Sequence, residues 1–352
     1  MSFAAADEIR RWYGLVLDLW LARTETPSRL LLERSGVKLR DYGDEGNRPS
    51  LLIIPAPIKK PYIWDLTPSV SAVLACLQAQ FRVYRLEWPE TSPDGPDNGL
   101  AVYVEELILE CAKAIGEPAV FAGHSLGGTL ATIFASLHPK HVLALILLEA
   151  PLSFLGDAGA IAEFIRIAPA TDALRKVSIY PGTVLNALSL VASPNSFLWW
   201  RWRDLLLSAG DPAALRIHLL VERWALDEYA MPSALFADVV DLYQEDRFLR
   251  GTLRIKGQTA APKNLTMPVL AVVDPESDLV PPSSVMPFLD ALPNRNWTLL
   301  HYEPDTGVAL RHVGVLAGRT AHSILWPEIL AWIRMSYTSA STRGDQRIGS
   351  VV

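Results

Sequence analysis

The stretch AVFAGHSLGGTL, residues 119–130, contains an apolar run, then GHSLG (123–127), and then a segment compatible with a helix. A G-x-S-x-G pattern between a strand and a helix is typical of a nucleophile elbow, in which a serine, here Ser125, lies on a tight turn. Glycine suits the flanking positions because the turn is strained and other chain passes close to it. The bare pattern also fits a Gly-rich turn into a core helix, so the rest of the chain decides between the two.

The composition indicates a large globular protein without a strong charge bias. The chain has 352 residues, 50% of them hydrophobic and 20% charged, and its formal net charge is −6 at pH 7. This length is sufficient to bury a large core. The acidic balance and the lack of a dense Lys/Arg run argue against nucleic acid as a partner. No apolar run reaches the roughly 18 residues that a membrane span needs, so we expect no membrane span.

Cysteine usage and the first residues predict a cytoplasmic protein. Cys76 and Cys111 lie in apolar periodic segments, and we expect both to be buried packing residues without a disulfide framework. Residues 1–20 carry acidic side chains ahead of their apolar stretch, where a signal peptide would carry positive charge. No cluster of His, Asp, Glu or Cys has metal-ligand spacing, so the sequence implies no metal and no cofactor.

Strand-like and helical patterns alternate on both sides of the elbow. The sequence predicts an amphipathic leading helix over 6–34, strands at 49–57, 81–89, 118–124, 141–151, 267–275 and 297–304, and helices at 65–79, 99–115, 126–138, 282–292 and 319–336. Apolar strands separated by helices predict an α/β protein whose mostly parallel central sheet is flanked by helices.

The alternation stops over residues 152–264, which are helix-rich and aromatic, and we interpret this segment as an inserted helical cap. The predicted organisation is a first core part at 1–151, the cap at 152–264, a second core part at 265–337 and a flexible tail at 338–352. The cap aromatics Phe197, Trp199, Trp200 and Trp202 are too closely spaced to share one helix face. We expect most of them to pack between cap and core, with an acyl-binding wall or a protein contact surface as alternatives.

A serine nucleophile needs a general base to accept its proton and a carboxylate to hold that base in the right tautomer. Asp278 follows one predicted strand, in VVDPESDLVPP, and His312 follows the next, in DTGVALRHVGVL. Open α/β sheets assemble their sites at such strand ends. The order Ser125, Asp278, His312 is that of the α/β-hydrolase fold. We therefore predict this fold, with these three residues as the catalytic triad.

Other residues compete for these roles. Asp274 and Glu276 lie in the same loop as Asp278, and we favour Asp278 over both. The remaining histidines lie in the elbow, at a helix end, in the cap, in a strand or on the last helix: His124, His138, His141, His218, His301 and His322. A lone histidine is usually structural, but His312 combines a loop position with the required chain order.

An acyl-transfer site also needs donors for the oxyanion, normally the amide after the nucleophile and one from the loop after an early strand. Leu126 supplies the first. In the early loop Pro55 and Pro57 have no N–H, so we expect Ile58 to supply the second, with Ala56 as the alternative.

At these residues the chain resembles the polyhydroxyalkanoate synthase family, especially its shorter catalytic subunits. The segments that carry the resemblance, in the family's order, are LLIIPAPIKKPYIWDLTP (51–68), VERWALDEYAMP (221–232), VVDLYQEDRFLRG (239–251), NLTMPVLAVVDPESDLVPPSS (264–284) and RHVGVLAGRTAHSILWP (311–327). PGTVLNALSLVASP (181–194) is similar more loosely. By position, the family's acid falls on Asp278, its base on His312, and its nucleophilic cysteine on Ser125.

The resemblance implies the fold, the triad and 3-hydroxyacyl substrates, but the serine counts against polymerisation because a thiolate exchanges readily with thioesters and leaves well. The favoured hypothesis is a serine-dependent acyl hydrolase, a thioesterase or esterase, acting on acyl-CoA, esters or hydroxyalkanoate oligomers. The alternative is a synthase-like acyltransferase that uses acyl-CoA. A third hypothesis is a noncatalytic subunit that binds polyester or a partner. The sequence is compatible with a homodimer and with a second, partner subunit.

Overall fold

The chain folds around an eight-stranded sheet that is parallel over most of its width. A computed structural model describes residues 3–19, 21–43, 48–156, 158–194, 199–308 and 310–348. The strands are β1 Arg29–Arg34, β2 Val37–Asp41, β3 Ser50–Ile54, β4 Arg82–Glu87, β5 Ala119–His124, β6 Val142–Leu148, β7 Val269–Val273 and β8 Trp297–His301. They lie in the order β1-β2-β4-β3-β5-β6-β7-β8.

Parallel pairing runs from β4 through β3, β5, β6 and β7 to β8, whereas β2 is antiparallel to both of its neighbours. Strands β3, β5 and β7 are buried along their whole length. Strands covered by helices on both faces need apolar side chains in both directions, which explains their continuous apolar runs. The predicted α/β-hydrolase architecture, a mostly parallel sheet flanked by helices, is confirmed.

Helices connect the strands and cover the sheet. They are α1 Phe3–Asp18, α2 Ala72–Gln78, α3 Leu100–Val102, α4 Leu109–Ile115, α5 Leu126–Leu137, α6 Ala160–Arg166, α7 Thr171–Leu174, α8 Gly182–Ala192, α9 Trp200–Ser208, α10 Pro212–Ala225, α11 Ser233–Gln244, α12 Met286–Asp290, α13 Gly314–Ala317 and α14 Trp326–Ile348. Cys76 and Cys111 are buried free thiols, as expected of packing residues. Within the described ranges, no helix has both the length and the apolar character needed to cross a membrane.

Short elements complete the fold. π-Helical turns at Tyr103–Ile108 and Ala321–Leu325 precede α4 and α14. Among the described residues, three antiparallel two-stranded ladders lie outside the main sheet, pairing Asp65–Thr67 with Val70–Ser71, Ile179–Tyr180 with Met231–Pro232, and Leu253–Ile255 with Gln258–Ala260. The first ladder occupies the start of the segment predicted as a helix over 65–79, so that helix begins later, at Ala72.

The leading helix is also shorter than the sequence pattern predicts. The periodicity over 6–34 indicates one helix, but α1 ends at Asp18 and the chain returns at Arg29 as β1. Pro27, which has no N–H to continue a helix, lies between them. The β1–β2 turn at 35–36 has positive φ at both residues, as type I′ hairpins require. The single long helix was therefore a wrong prediction.

Helix α1 buries a polar side rather than its apolar one. Its exposed apolar residues include Trp12, Tyr13 and Leu15. The buried contact is ionic, because Arg10 Nη2 donates to Asp7 Oδ1 at 2.9 Å. The same carboxylate oxygen accepts from the Thr183 hydroxyl at 2.7 Å and from the Thr183 amide at 3.2 Å. Polar contacts therefore fasten α1 to the beginning of α8.

Helices α6 to α11 lie between β6 and β7, in the segment interpreted as a cap; its boundaries stay a prediction. Trp199, Trp200 and Trp202 are exposed, and Phe197 lies outside the described residues. Helix α9 instead buries Asp204, which accepts from His218 Nδ1 and from the Gly307 amide, each at 2.8 Å. The expectation that these tryptophans pack between cap and core is therefore wrong. The other two interpretations of them stay predictions.

The elbow is packed so closely that its glycines have no room for a side chain. A Cβ on Gly127 would lie 2.3 Å from the carbonyl oxygen of Ile54 and 2.6 Å from the carbonyl carbon of Pro55. A Cβ on Gly123 would lie 2.5 Å from the Cα of Gly128. The end of β5, the start of α5 and the loop after β3 are therefore in direct backbone contact.

We expect Gly127→Ala to lower the free energy of unfolding by about 2 kcal/mol, because the added methyl group must displace backbone rather than a flexible side chain. Urea denaturation measures this. Gly210→Ala is the matched control, since a Cβ there would meet no atom within 4 Å, and its effect should stay within about 0.5 kcal/mol. Equal stability of the two variants would contradict the close packing of the elbow.

Candidate active site

Ser125 lies between β5 and α5 in a strained conformation. Its φ is 54° and its ψ is −133°, a region that a residue with a Cβ rarely adopts. Its amide donates to the Leu148 carbonyl at 3.0 Å, and its own carbonyl accepts from the amides of Gly128 and Thr129 at 2.9 and 3.2 Å. These bonds hold the turn, and the side chain is half-buried. Strain of this kind is common where a nucleophile is held for reaction.

The two expected oxyanion donors come from segments that touch each other. Leu126 is the first residue of α5, so its amide precedes the intrahelical hydrogen bonds. Ile58 lies in the loop after β3, and the beginning of that loop contacts Gly127. The segments that carry the two expected donors are therefore in backbone contact at Gly127.

The loop after β3 is also held from the far side by residues 225–229, which lead into α11. The Ile58 carbonyl accepts from the Tyr229 amide at 2.9 Å. Lys59, the next residue, forms a buried ion pair with Glu228. Contacts on both sides restrict the position of the loop, as a preorganised oxyanion site requires.

His312 contacts the elbow at His124, the residue immediately before Ser125. His312 lies in a 3-10 turn, Arg311–Val313, after β8. The Nε2 of His124 lies 2.7 Å from the His312 carbonyl oxygen, and the two ring centroids are 4.6 Å apart. A carbonyl only accepts, so His124 carries its proton on Nε2. Burial, together with the neighbouring His312, lowers the pKa of His124 to about 3, so this ring acts as a neutral support.

Burial lowers the pKa of His312 to about 4, and the negative charge of Asp278 acts in the opposite direction. The imidazole is therefore neutral near pH 7 and able to accept a proton. Asp278 is exposed, and its carboxylate accepts from the Ser193 hydroxyl at the end of α8. The structure thus places the expected acid within electrostatic range of the expected base.

The two competitors of Asp278 are both engaged by Arg311. Its Nε and Nη2 donate to the two carboxylate oxygens of buried Asp274 at 2.5 and 2.7 Å. Its Nη1 and Nη2 also donate to Glu276, each at 3.1 Å. We call these hydrogen bonds from the Arg311 guanidinium the Arg311 fork. Arg311 directly precedes His312, so the fork anchors the turn that carries the histidine.

Sequence reasoning missed Glu149, which directly follows β6. It has a positive φ of 47°, its side chain is fully buried, and its Oε2 lies 3.5 Å from the Nδ1 of His312. Its Oε1 accepts from the Asp274 amide. Burial raises the pKa of Glu149 well above its usual value. The sequence feature that identifies it is an acidic residue immediately after the apolar run 142–148, because Asp278 was likewise predicted from its position after a strand.

Comparisons with known proteins agree with the fold. The model of the Alpha/beta hydrolase family matches residues 51–293, more than half of the chain. The chain is 26% identical to the poly(3-hydroxyalkanoate) polymerase subunit PhaC of Haloferax mediterranei over 88% of this chain, and it spans 64% of that relative's length. It is also 26% identical to the PhaC subunit of Synechocystis sp., over 80% of this chain and 77% of that one.

Solved structures share the fold. The monoacylglycerol lipase of Paleococcus ferrophilus has a TM-score of 0.53 and 15% identity, covering 85% of this chain and 99% of that one. A thermophilic esterase of Thermogutta terrifontis has a TM-score of 0.52 and 14% identity, covering 90% and 99%. At such identities the likeness shows the fold alone. The family match and the polymerase relatives indicate an enzyme, either a hydrolase or an acyltransferase. The chain belongs to the alpha/beta hydrolase family.

Proposed function

We propose that the protein is a synthase-like acyltransferase, which takes a 3-hydroxyacyl group from a CoA thioester onto Ser125 and passes it to a hydroxyl acceptor. The observation that carries this proposal is the similarity to curated polymerase subunits over most of the chain, 88% of it for the Haloferax protein. Hydrolysis, with water as the acceptor, is the second candidate, and the serine in place of cysteine favours it. The similarity to polymerase subunits supports transfer over hydrolysis.

In the proposed reaction the Nε2 of His312 accepts the Ser125 hydroxyl proton while Oγ attacks the thioester carbonyl. The amides of Leu126 and Ile58 stabilise the oxyanion. When the C–S bond breaks, His312 returns the proton to the leaving sulfur, which gives a free thiol and a seryl ester. An acceptor hydroxyl then loses its proton to His312 and attacks the ester, and His312 passes that proton to Oγ as Ser125 leaves. One thioester is exchanged for one ester.

Burial around the nucleophile supports transfer. Leu126 is buried, Ser125 is half-buried, and the His312 side chain is 11% exposed. A site with little water allows a bound hydroxyl acceptor to compete with hydrolysis. A seryl ester is a poorer acyl donor than a thioester, but its exchange with an alcohol conserves the type of bond. Serine therefore makes the second step slower without opposing its direction.

The first test incubates the protein with 3-hydroxybutyryl-CoA, follows thiol release and identifies the products by mass spectrometry. We expect Ser125-dependent oligomers or acyl groups transferred to an added alcohol. Ser125→Ala should reduce thiol release by about 10³-fold or more. Ser125→Cys is the matched variant that restores the nucleophile of the resembled family, and it should retain transfer. Free acid as the only product would replace the proposal by the hydrolase, and no thiol release would contradict both.

Arg311 supplies a second prediction, because it anchors the turn of His312. We expect Arg311→Gln to lower kcat by about 10²-fold, as small displacements of a reacting group do, with little change in KM. Arg311→Lys keeps the charge but loses the fork, so its kcat should be intermediate. Steady-state kinetics measure both, and urea denaturation reports their stability.

The control for this series is Arg254→Gln, the exposed residue of the strand Leu253–Ile255, which should leave kcat unchanged. An unchanged kcat in a folded Arg311→Gln protein would show that the fork does not position the base.

A further inference from the structure

Two buried polar atoms face each other without a hydrogen bond at the centre of the site. Glu149 Oε2 and His312 Nδ1 are 3.5 Å apart. Within the described part of the chain, neither atom has a hydrogen-bond partner. The Glu149 side chain has no exposed surface. Buried polar atoms are nearly always paired, so two that are left facing each other point to an interaction that forms when the site works.

We propose that Glu149 sets the tautomer of His312: as a carboxylate it accepts the Nδ1 proton, which leaves Nε2 free to act as the base for Ser125. This inference deepens the proposed function and rests on its assignment of nucleophile and base. Glu149 contacts neither the substrate nor the reacting atoms, so it is a positioning residue. Asp278 then contributes negative charge from the exposed side, whereas Glu149 is the carboxyl group at Nδ1.

The proton balance explains why the tautomer matters. When Ser125 Oγ attacks, its proton goes to Nε2, and the imidazolium carries its second proton on Nδ1. The Glu149 carboxylate accepts that hydrogen bond and balances the positive charge, without itself taking the proton. A protonated Glu149 would instead donate to Nδ1. The imidazole proton would then lie on Nε2, where it prevents acceptance of the Ser125 proton.

The placement of Glu149 allows it to discriminate between the tautomers. Its Oε1 is occupied by the Asp274 amide, so Oε2 alone faces the ring. Its backbone belongs to the central sheet, since its amide donates to the Val272 carbonyl at 2.9 Å. One oxygen is fixed by the backbone and the other is aimed at Nδ1, so the orientation of the carboxyl group does not depend on the cap.

The surrounding charges make this pair titrate as a unit. The ionisable groups around it are Asp274, Asp278, Arg311, Tyr302 and His124. Burial raises the pKa of Glu149, and the Asp274 carboxylate adds to this effect, whereas the Asp274 amide, the Ser277 hydroxyl and the charge of Arg311 lower it. The competent pair holds one proton, and acidification adds a second, whichever atom receives it. Activity should therefore fall, as the pH is lowered, at a pH above the value of about 4 to which burial lowers the pKa of His312 alone.

Glu149→Gln separates this role from a purely structural one. In this variant the amide oxygen still accepts from the Asp274 amide, so the NH2 group faces Nδ1 and forces the imidazole proton onto Nε2. We expect the rate of Ser125 labelling by a fluorophosphonate probe to fall by about 10³-fold or more, since fixing the wrong tautomer costs a serine protease about 10⁴-fold. Glu149→Asp keeps the carboxylate and should be labelled faster than Glu149→Gln.

A purely structural role predicts the reverse order, because glutamine preserves both the shape and the acceptor for Asp274, whereas aspartate is shorter. Glu303→Gln, which removes an exposed carboxylate after β8, is the matched control and should leave the labelling rate unchanged. Labelling of Glu149→Gln at the wild-type rate would overturn the inference while the proposed function stands. A wild-type protein that is not labelled at Ser125 would overturn both.

Nitrogen-15 NMR of labelled histidine tests the wild-type protein without reference to substrate. At the pH of maximal labelling, we expect the His312 proton on Nδ1, and in Glu149→Gln at the same pH we expect it on Nε2. A wild-type proton on Nε2 would overturn the inference. So would retention of Nδ1 protonation in folded Glu149→Gln together with its loss in Asp278→Asn, because Asp278 would then set the tautomer.

Discussion

A serine with a φ of 54° is stable here because three backbone segments close around it. Such a conformation costs on the order of 1–3 kcal/mol and persists where the surroundings hold it. Gly127 touches the end of β3, and Gly123 touches Gly128 at the start of α5. The same contacts join the two segments that carry the predicted oxyanion donors. The position of the Ser125 hydroxyl thus follows from backbone packing between β3, β5 and α5, whereas His312 is held by contacts of His124 and Arg311.

The sheet and the elbow were predictable because their signals are local. Apolar runs, intervening helical periodicity and a G-x-S-x-G turn are each contained in about twenty neighbouring residues. The leading helix and the cap tryptophans were predicted wrongly because long-range polar contacts decide them. Arg10 and Asp7 turn α1 toward α8, and Asp204 turns α9 toward Gly307. The apolar periodicity of a sequence does not show which polar residue will form a hydrogen bond or ion pair with a residue distant in the chain.

The residues of the candidate site also divide into those that local sequence predicts and those that depend on long-range contacts. Ser125, Asp278 and His312 were predicted from their positions after strands and from their order along the chain, and the structure brings His312 to the elbow. Glu149 was not predicted because its contact with His312 joins two places far apart in the sequence, the end of β6 and the loop after β8. The same is true of the Arg311 fork on Asp274. The sequence predicts which strand ends carry candidate catalytic residues, whereas the pairing of one carboxylate with one ring nitrogen of His312 depends on the three-dimensional structure.

The carboxylates around His312 differ in what holds them. Glu149 and Asp274 follow buried strands of the central sheet, whereas Asp278 is bonded to Ser193, in the segment between β6 and β7. The ionic support of the base therefore lies largely in the part of the molecule that builds the sheet. Over evolutionary time, substitutions that reshape the intervening helices can therefore accumulate without rebuilding that support. The helices between β6 and β7 and the carboxylates around His312 are thus free to change at different rates within one chain.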